Sequence, residues 1–264
     1  IGATLRIPED NPPVVVEPKL KTYEDFEKLE RTDITRTGRV PLLLNIARQL
    51  RKALGRDVPM FAIVPTPYTL ANDLRGAQSL YKDMVRNPEF VNNLMEFCLE
   101  PAINYGAALV DAGADVLWVP DPLCGTTCIS RRHYERFSYP YVKRMFEDLR
   151  SRGATIVYHI CGDWHDRLDL ASQGPNGWHL AIEADLAGVK REYGDKLALM
   201  GNVRSIDVLY GTPEDVERES VRCLEEGAKG GGFILSSDCG LPRDTPPENV
   251  LAMVRTGKAR GKYE

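Results

Sequence analysis

Short apolar strand segments that alternate with helical segments constrain the fold of this 264-residue chain more than any other feature. Strand signals fall near residues 60, 116, 155, 179, 198 and 233. Helical periodicity predicts helices over 41–55, 88–112, 131–152, 164–173 and 213–229 and from Pro246 onward, with Thr212 and Thr245 as N-caps of the last two. Strands separated by helices of this length form βαβ units, so the sequence predicts an α/β fold with a parallel sheet.

A TIM (β/α)8 barrel is the architecture that this alternation favours, although two smaller domains also fit a chain of this length. Six strand signals fall short of eight, and the prediction is a barrel that lacks its N-terminal portion. Residues 1–40 do not have the pattern of a barrel unit. They are predicted to be an N-terminal excursion packed on a barrel domain of residues 41–264.

Composition excludes several classes of partner. The formal net charge is −4, and no lysine or arginine cluster suggests a nucleic-acid or acidic-membrane surface. No apolar run approaches the roughly 18 residues of a membrane span, and the N-terminal residues lack a signal-peptide pattern. Six cysteines are too few for a disulfide scaffold. We therefore expect a cytoplasmic protein with free thiols.

Three potential metal ligands follow two of the predicted strands. His159 and Cys161 come after the strand-like run 154–158, and Cys239 follows the run 232–236. One imidazole and two thiolates suit Zn2+ and leave a fourth position open, as in catalytic zinc sites, whereas structural zinc usually has four closely spaced ligands. The sequence therefore predicts a catalytic zinc site between distant strands. A structural zinc, or a buried histidine with two core cysteines, is the alternative.

Other polar residues stand at equivalent strand ends, where barrel enzymes carry their catalytic groups. Glu183 is either a fourth zinc ligand in the absence of substrate or a solvated acid at a helix start. Asp121 and Asn202 either orient a substrate or zinc ligand, or cap loops by hydrogen bonding. The pair Cys124 and Cys128 is a weak signal for a second metal or a redox couple.

Several motifs resemble those of the uroporphyrinogen decarboxylase superfamily, and most of all its branch of corrinoid-dependent methyltransferases, typified by methylcobamide:coenzyme M methyltransferases. They are the segments 113–122, 129–142, His159-Ile-Cys-Gly162, Gly201-Asn-Val203 and Cys239-Gly-Leu-Pro242 with 245–249. The resemblance covers the chain from about residue 10 to its end. It implies a TIM barrel with zinc held by His159, Cys161 and Cys239, and full-length members carry a further N-terminal portion.

Departures from the family patterns bear on the activity. Decarboxylases have a Leu-Gly-His-Gly-type turn where this chain has Ser237-Asp-Cys-Gly240, and a Phe-Asp-Ser-Trp-type motif where it has Asp121-Pro-Leu-Cys-Gly125. Decarboxylation of a porphyrinogen is therefore the less expected activity. Tyr158 and Asp163-Trp164 also depart from the pattern of the coenzyme M enzymes.

The expected function is zinc-dependent transfer of a methyl group between a corrinoid protein and a small substrate, such as a thiol or a methylated amine, alcohol or methoxy compound. Zinc deprotonates a bound thiol while leaving it nucleophilic, or polarises a methyl donor as a Lewis acid. No cobalamin-binding module is recognised, so methylcobalamin would arrive on a partner protein. A tetrapyrrole decarboxylase and a non-catalytic barrel that binds a corrinoid protein remain the alternatives.

Overall fold

The computed structural model describes residues 3–9 and 13–262. These residues form two compact units, the first comprising residues up to 123 with 130–155 and the second comprising 124–129 with residues from 156 onward. Each unit combines parallel strands with helices, which confirms the predicted α/β class. The predicted boundary at residue 40 stays a prediction, and residues 1, 2, 10–12, 263 and 264 of the two predicted segments lie outside the described residues.

The first unit contains an antiparallel pair of strands and a parallel pair. The strands are β1 (Thr4–Arg6) with β2 (Val14–Glu17), and β3 (Phe61–Ile63) with β4 (Val116–Pro120). The helices are α1 (Glu24–Glu27), α2 (Val40–Leu54), α3 (Pro67–Arg75), α4 (Ala77–Arg86), α5 (Pro88–Asp111), α6 (Arg131–Phe137) and α7 (Tyr139–Ser151). Among the described residues, no helix combines the length and apolar content required to cross a membrane.

The second unit is built on a parallel sheet. Its strands, in spatial order, are β5 (Thr155–Ile160), β6 (Gly177–Leu180), β7 (Ala198–Val203) and β8 (Phe233–Ser237). The helices are α8 (Leu168–Ala171), α9 (Leu186–Tyr193), α10 (Ser205–Tyr210), α11 (Pro213–Gly227) and α12 (Pro247–Arg260). Because parallel strands share one direction, the segments that leave their carboxyl ends lie along the same edge of the sheet.

Two predicted helices are wrong in extent. The predicted helix 131–152 is divided at Ser138 into α6 and α7. Pro140 accounts for the division, because proline has no N–H to donate to the preceding turn and its ring crowds that turn. The predicted helix 164–173 is reduced to α8, and the indole of Trp164 donates to the Cys161 carbonyl at 2.9 Å. That bond ties the start of the segment to the end of β5 instead of to a helix.

The two predicted threonine caps have different outcomes. The Thr212 hydroxyl accepts from the backbone N–H of Asp215, and the Asp215 carboxylate accepts from the Thr212 N–H, so the predicted N-cap of α11 is confirmed as a capping box. The predicted N-cap Thr245 is wrong, because α12 begins one residue later with Pro246 as its cap. The Thr245 hydroxyl instead donates to the Pro242 carbonyl at 2.7 Å.

Candidate metal centre

The second unit brings the three predicted ligands together. His159 is the penultimate residue of β5, Cys161 follows that strand directly, and Cys239 lies two residues beyond the end of β8. One ligand atom from each residue lies within 4.8 Å of the others. Among residues 3–9 and 13–262, this is the one group of three or more such side chains with ligand atoms so close.

The spacing of the ligand atoms suits a tetrahedral metal ion. Cys239 Sγ lies 3.7 Å from His159 Nε2. A tetrahedral zinc with Zn–S of about 2.3 Å and Zn–N of about 2.0 Å separates these two atoms by about 3.5 Å. His159 is buried, whereas Cys161 and Cys239 are half-buried and retain some contact with solvent. The donor set and its geometry therefore fit catalytic zinc.

The tautomer of His159 follows from its hydrogen bond to the neighbouring strand. His159 Nδ1 lies 3.1 Å from the backbone carbonyl of His179 on β6, opposite His159 in the parallel register. A carbonyl oxygen only accepts, so Nδ1 carries the hydrogen and Nε2 presents its lone pair to the cluster. Metal-binding histidines are commonly held by this kind of contact, because it fixes both the tautomer and the ring orientation.

The two thiols influence each other strongly. Hydrogen bonding to Cys161 lowers the pKa of Cys239, and the neighbouring His159 lowers it further. The same hydrogen bond, together with burial, raises the pKa of Cys161, and the nearby charge of Glu183 raises it further. The pKa values of the two thiols therefore shift in opposite directions, and Cys239 is the more readily deprotonated of the two.

Backbone contacts fix the turn that carries Cys239. The Ser237 hydroxyl donates to the Cys239 carbonyl at 2.7 Å. The N–H of Asp238 donates to the Val203 carbonyl at 2.7 Å, and the Asp238 carboxylate accepts from the N–H of Ser205 at the same distance. Since Val203 is the last residue of β7 and Ser205 follows two residues later, these bonds tie the backbone of the Cys239 turn to the carboxyl end of β7.

The turn that carries Cys161 packs on the segment 124–129. A Cβ on Gly125 would lie 3.1 Å from the Cys161 carbonyl oxygen, so only glycine fits this approach without a shift. The fully buried Arg167 holds the segment by donating to the carbonyls of Cys124, at 2.7 Å, and Ile129, at 3.0 Å. Asp163 and Trp164, which departed from the family pattern, take part in this turn. The Trp164 indole donates to the Cys161 carbonyl, and the Asp163 carboxylate accepts from Thr126.

His179 is a site residue that the sequence interpretation missed. Its side chain is 3% exposed, and its Nε2 lies 2.7 Å from the Ser237 carbonyl on β8. Its ring centroid is 4.4 Å from that of His159. Burial lowers the pKa of His179 to about 4, and the neighbouring His159 adds to the shift, so the ring is neutral at physiological pH. Its place beside His159, one strand further along the sheet, is the signal that could have identified it.

Glu183 and Asn202 are linked through one turn. Glu183 is exposed between β6 and α9 and lies outside the cluster of three ligands, so its role as a fourth ligand stays a prediction. The buried Asn202 donates through Nδ2 to the carbonyls of Ala181, at 3.1 Å, and Ala184, at 3.3 Å. Asn202 thereby holds both ends of the turn that carries Glu183, while its predicted contact with substrate stays a prediction.

The remaining sequence candidates do not join the cluster. Asp121 is fully buried directly after β4 in the first unit, and its predicted substrate contact stays a prediction. Cys124 is buried and Cys128 is exposed, and neither belongs to the described group of metal-ligating side chains. A cavity of about 830 Å3 lies within the first unit, and its lining contains no histidine or cysteine.

Comparisons with known proteins agree with the resemblance inferred from the motifs. Methylcobamide:CoM methyltransferase MtbA of Methanosarcina acetivorans is 29% identical over 248 residues, which are 93% of this chain and 71% of that protein. A uroporphyrinogen decarboxylase of Vibrio campbellii is also 29% identical, over 96% of this chain and 73% of its own. A solved methyltransferase from Methanosarcina mazei superposes with a TM-score of 0.89 at 25% identity, covering 98% of this chain and 75% of that one.

The structural likeness confirms the predicted barrel-type α/β fold class. The model of the uroporphyrinogen decarboxylase (URO-D) family matches residues 1–260, nearly the whole sequence. With the His159, Cys161 and Cys239 cluster at the strand ends, this match establishes that the chain belongs to the uroporphyrinogen decarboxylase family.

Proposed function

We propose that the protein is a zinc-dependent methyltransferase that moves a methyl group between a corrinoid protein and a small thiol. The observation that carries the proposal is the convergence of one imidazole and two half-buried thiols within 4.8 Å. The relative from Methanosarcina acetivorans, named for methylcobamide and CoM, supports a corrinoid donor and a thiol acceptor. The decarboxylase relative leaves the other branch of the family as the second candidate.

The residues of the cluster account for the proposed chemistry. His159, Cys161 and Cys239 would hold the ion, and the hydrogen bond from Nδ1 keeps Nε2 of His159 available for it. Bound there, Zn2+ would lower the pKa of an incoming thiol and keep its sulfur nucleophilic. The two cysteine thiolates already offset the charge of the ion, so a third thiolate in the open position keeps a net negative charge.

Transfer of the methyl group from the corrinoid to a thiol would be a single displacement at the methyl carbon. The thiol would release its proton to solvent on binding, its sulfur would bond to the methyl carbon of the corrinoid substrate, and the cobalt–carbon bond would break with its electron pair left on cobalt. The chain contributes placement, because Trp164 and Asp238 tether the two turns that carry Cys161 and Cys239. Because the protein ligands are already fixed in place, only the bound thiol and the methyl carbon have to be aligned for the transfer.

Metal content and methyl transfer test the proposal together. We expect about one zinc per chain in the wild type and transfer of methyl from methylcobalamin to a thiol. The Cys239→Ser variant should lose both, because a serine hydroxyl is not deprotonated as readily as a thiol and is a poor zinc ligand. The Cys128→Ser variant makes the same chemical change at an exposed cysteine outside the cluster, so it should retain both.

Two results would contradict the proposal. A folded wild type that takes up no zinc even when zinc is supplied, but decarboxylates a porphyrinogen, would identify the decarboxylase branch. A protein that binds zinc and a methylated corrinoid protein, but transfers no methyl to any thiol, would favour the non-catalytic alternative.

A further inference from the structure

His179 connects the two segments that provide the metal ligands. Along β5 and β6, His179 stands directly opposite His159, and the two rings lie 4.4 Å apart between centroids with 35° between their planes. On its other side, His179 Nε2 lies 2.7 Å from the backbone carbonyl of Ser237. Ser237 is the last residue of β8 and stands two positions before Cys239.

The contact between His179 and Ser237 spans the width of one intervening strand. In the second unit β7 lies between β6 and β8, so His179 reaches a strand that is not its hydrogen-bonded neighbour. The carbonyl of Ser237 only accepts, so Nε2 of His179 carries the hydrogen. One rigid ring therefore contacts the imidazole of one ligand and the backbone beside another.

We infer that His179 is a positioning residue of the metal centre, acting as a spacer that holds His159 and the Cys239 turn at the separation a bound ion requires. The inference rests on the proposed zinc site but not on the reaction proposed there. The ring blocks rotation of His159 on one face, and its hydrogen bond fixes the carbonyl from which the Cys239 turn begins. The site is thereby organised before the ion arrives.

The contact with Ser237 transmits this effect to Cys239. The carbonyl of Ser237 is bonded by His179, and the hydroxyl of Ser237 donates to the carbonyl of Cys239. Ser237 therefore links His179 to the backbone of the proposed ligand Cys239. Loss of the imidazole would free the Ser237 carbonyl to turn toward other donors. The Cys239 thiol would then sample positions away from His159, and each such position reduces the fraction of chains with a preformed site.

Three variants separate positioning from simple packing. His179→Phe keeps an aromatic ring against His159 but cannot donate to Ser237. His179→Gln is the conservative variant, because its amide nitrogen reaches about as far as Nε2 and can donate to the same carbonyl. Trp178→Phe is the matched control, since Trp178 is the buried neighbour on β6 and gives up one hydrogen bond, from its indole to Ala171 at 3.2 Å, away from the cluster.

The measurement is zinc affinity by competition with a chromophoric chelator, with the Co2+ absorption spectrum as a second readout of ligand geometry. We expect His179→Phe to weaken zinc binding about 10- to 100-fold and to alter the Co2+ spectrum, as loss of a contact behind a metal ligand commonly does. His179→Gln should recover most of the affinity. Trp178→Phe should lower the free energy of unfolding and leave zinc affinity unchanged. Circular dichroism establishes that each variant is folded.

The outcomes separate this inference from the proposed function. Equal zinc affinity in the wild type and His179→Phe, or equal weakening in His179→Phe and Trp178→Phe, would overturn the positioning role. If His179→Phe does not fold, His179→Asn replaces it, because its amide is too short to reach Ser237, and equal affinities in His179→Asn and His179→Gln would overturn the role. A wild type that binds zinc but transfers no methyl defeats the proposed reaction alone, whereas a wild type without zinc defeats both.

Discussion

Asn202 and Asn249 form a natural pair for testing what the turn that carries Glu183 contributes. Both asparagines are 1% exposed, and each donates through Nδ2 to two backbone carbonyls. Asn202 bonds the carbonyls on either side of Glu183 at 3.1 and 3.3 Å. Asn249 bonds two carbonyls at the end of α10 at 2.8 Å each. Replacing either by alanine removes two donated hydrogen bonds, and at Asn202 it also removes the side-chain oxygen that accepts from Arg222 at 3.4 Å.

The expected loss of stability follows from the contacts. Each amide-to-carbonyl hydrogen bond contributes about 1 kcal/mol net, and a buried acceptor left without a partner costs about 1–3 kcal/mol. Water can reach part of the freed carbonyls, so Asn202→Ala should lower the free energy of unfolding by about 2–4 kcal/mol. Asn249→Ala also removes two donated hydrogen bonds, each of 2.8 Å, and should lower the free energy of unfolding by a similar amount.

Methyl transfer should distinguish the two variants. In Asn202→Ala the turn that carries Glu183 is no longer held at either end. On the prediction that Glu183 binds the metal, we expect transfer from methylcobalamin to a thiol to fall about tenfold, a usual loss for a residue that holds a metal ligand in place. Asn249→Ala should retain wild-type activity at temperatures where it is folded. The assays are urea unfolding followed by circular dichroism, and single-turnover demethylation of methylcobalamin.

Either of two results would refute this reasoning. If Asn202→Ala loses less than about 0.5 kcal/mol, the two hydrogen bonds are not the restraint that their burial suggests. If both variants lose activity in proportion to their loss of stability, the turn beside the metal centre has no special role.

Two further predictions concern other parts of the second unit. Gly125→Ala should weaken zinc binding and destabilise the fold by about 1–3 kcal/mol, because its Cβ would lie 3.1 Å from the Cys161 carbonyl oxygen. Gly240→Ala is the control and should be neutral, because a Cβ there meets nothing within 4 Å. Equal zinc affinities and equal stabilities for the two variants would contradict the packing argument. Hydrogen bonding from the backbone of Thr212 lowers the pKa of Asp215 from 3.8 to about 2. Its stabilising contribution is therefore complete above pH 3.8 and disappears as the pH falls toward about 2. Urea midpoints of the wild type and Asp215→Asn should converge over that range, and a constant gap would count against the linkage.

Local signals in the sequence were sufficient for much of the fold. The strands near β5 and β8 and the capping box at Thr212 follow from apolar runs and from residues a few positions apart. The segment beginning at Trp164 did not follow its local propensity, because its indole bonds to the Cys161 carbonyl. The break at Ser138 had a local cause, Pro140, which the periodicity of the surrounding residues concealed.

The sequence by itself identified the candidate metal ligands, since the residue types of His159, Cys161 and Cys239 and their positions after predicted strands already indicate a metal site. Only the tertiary structure decided how those ligands are held. His179 on β6 hydrogen-bonds to the Ser237 carbonyl on β8, which is not a neighbouring strand. Asn202 on β7 hydrogen-bonds to two carbonyls of the loop that carries Glu183. Residue type and periodicity report which face of a strand a side chain occupies. They do not report which distant backbone group packing places opposite it.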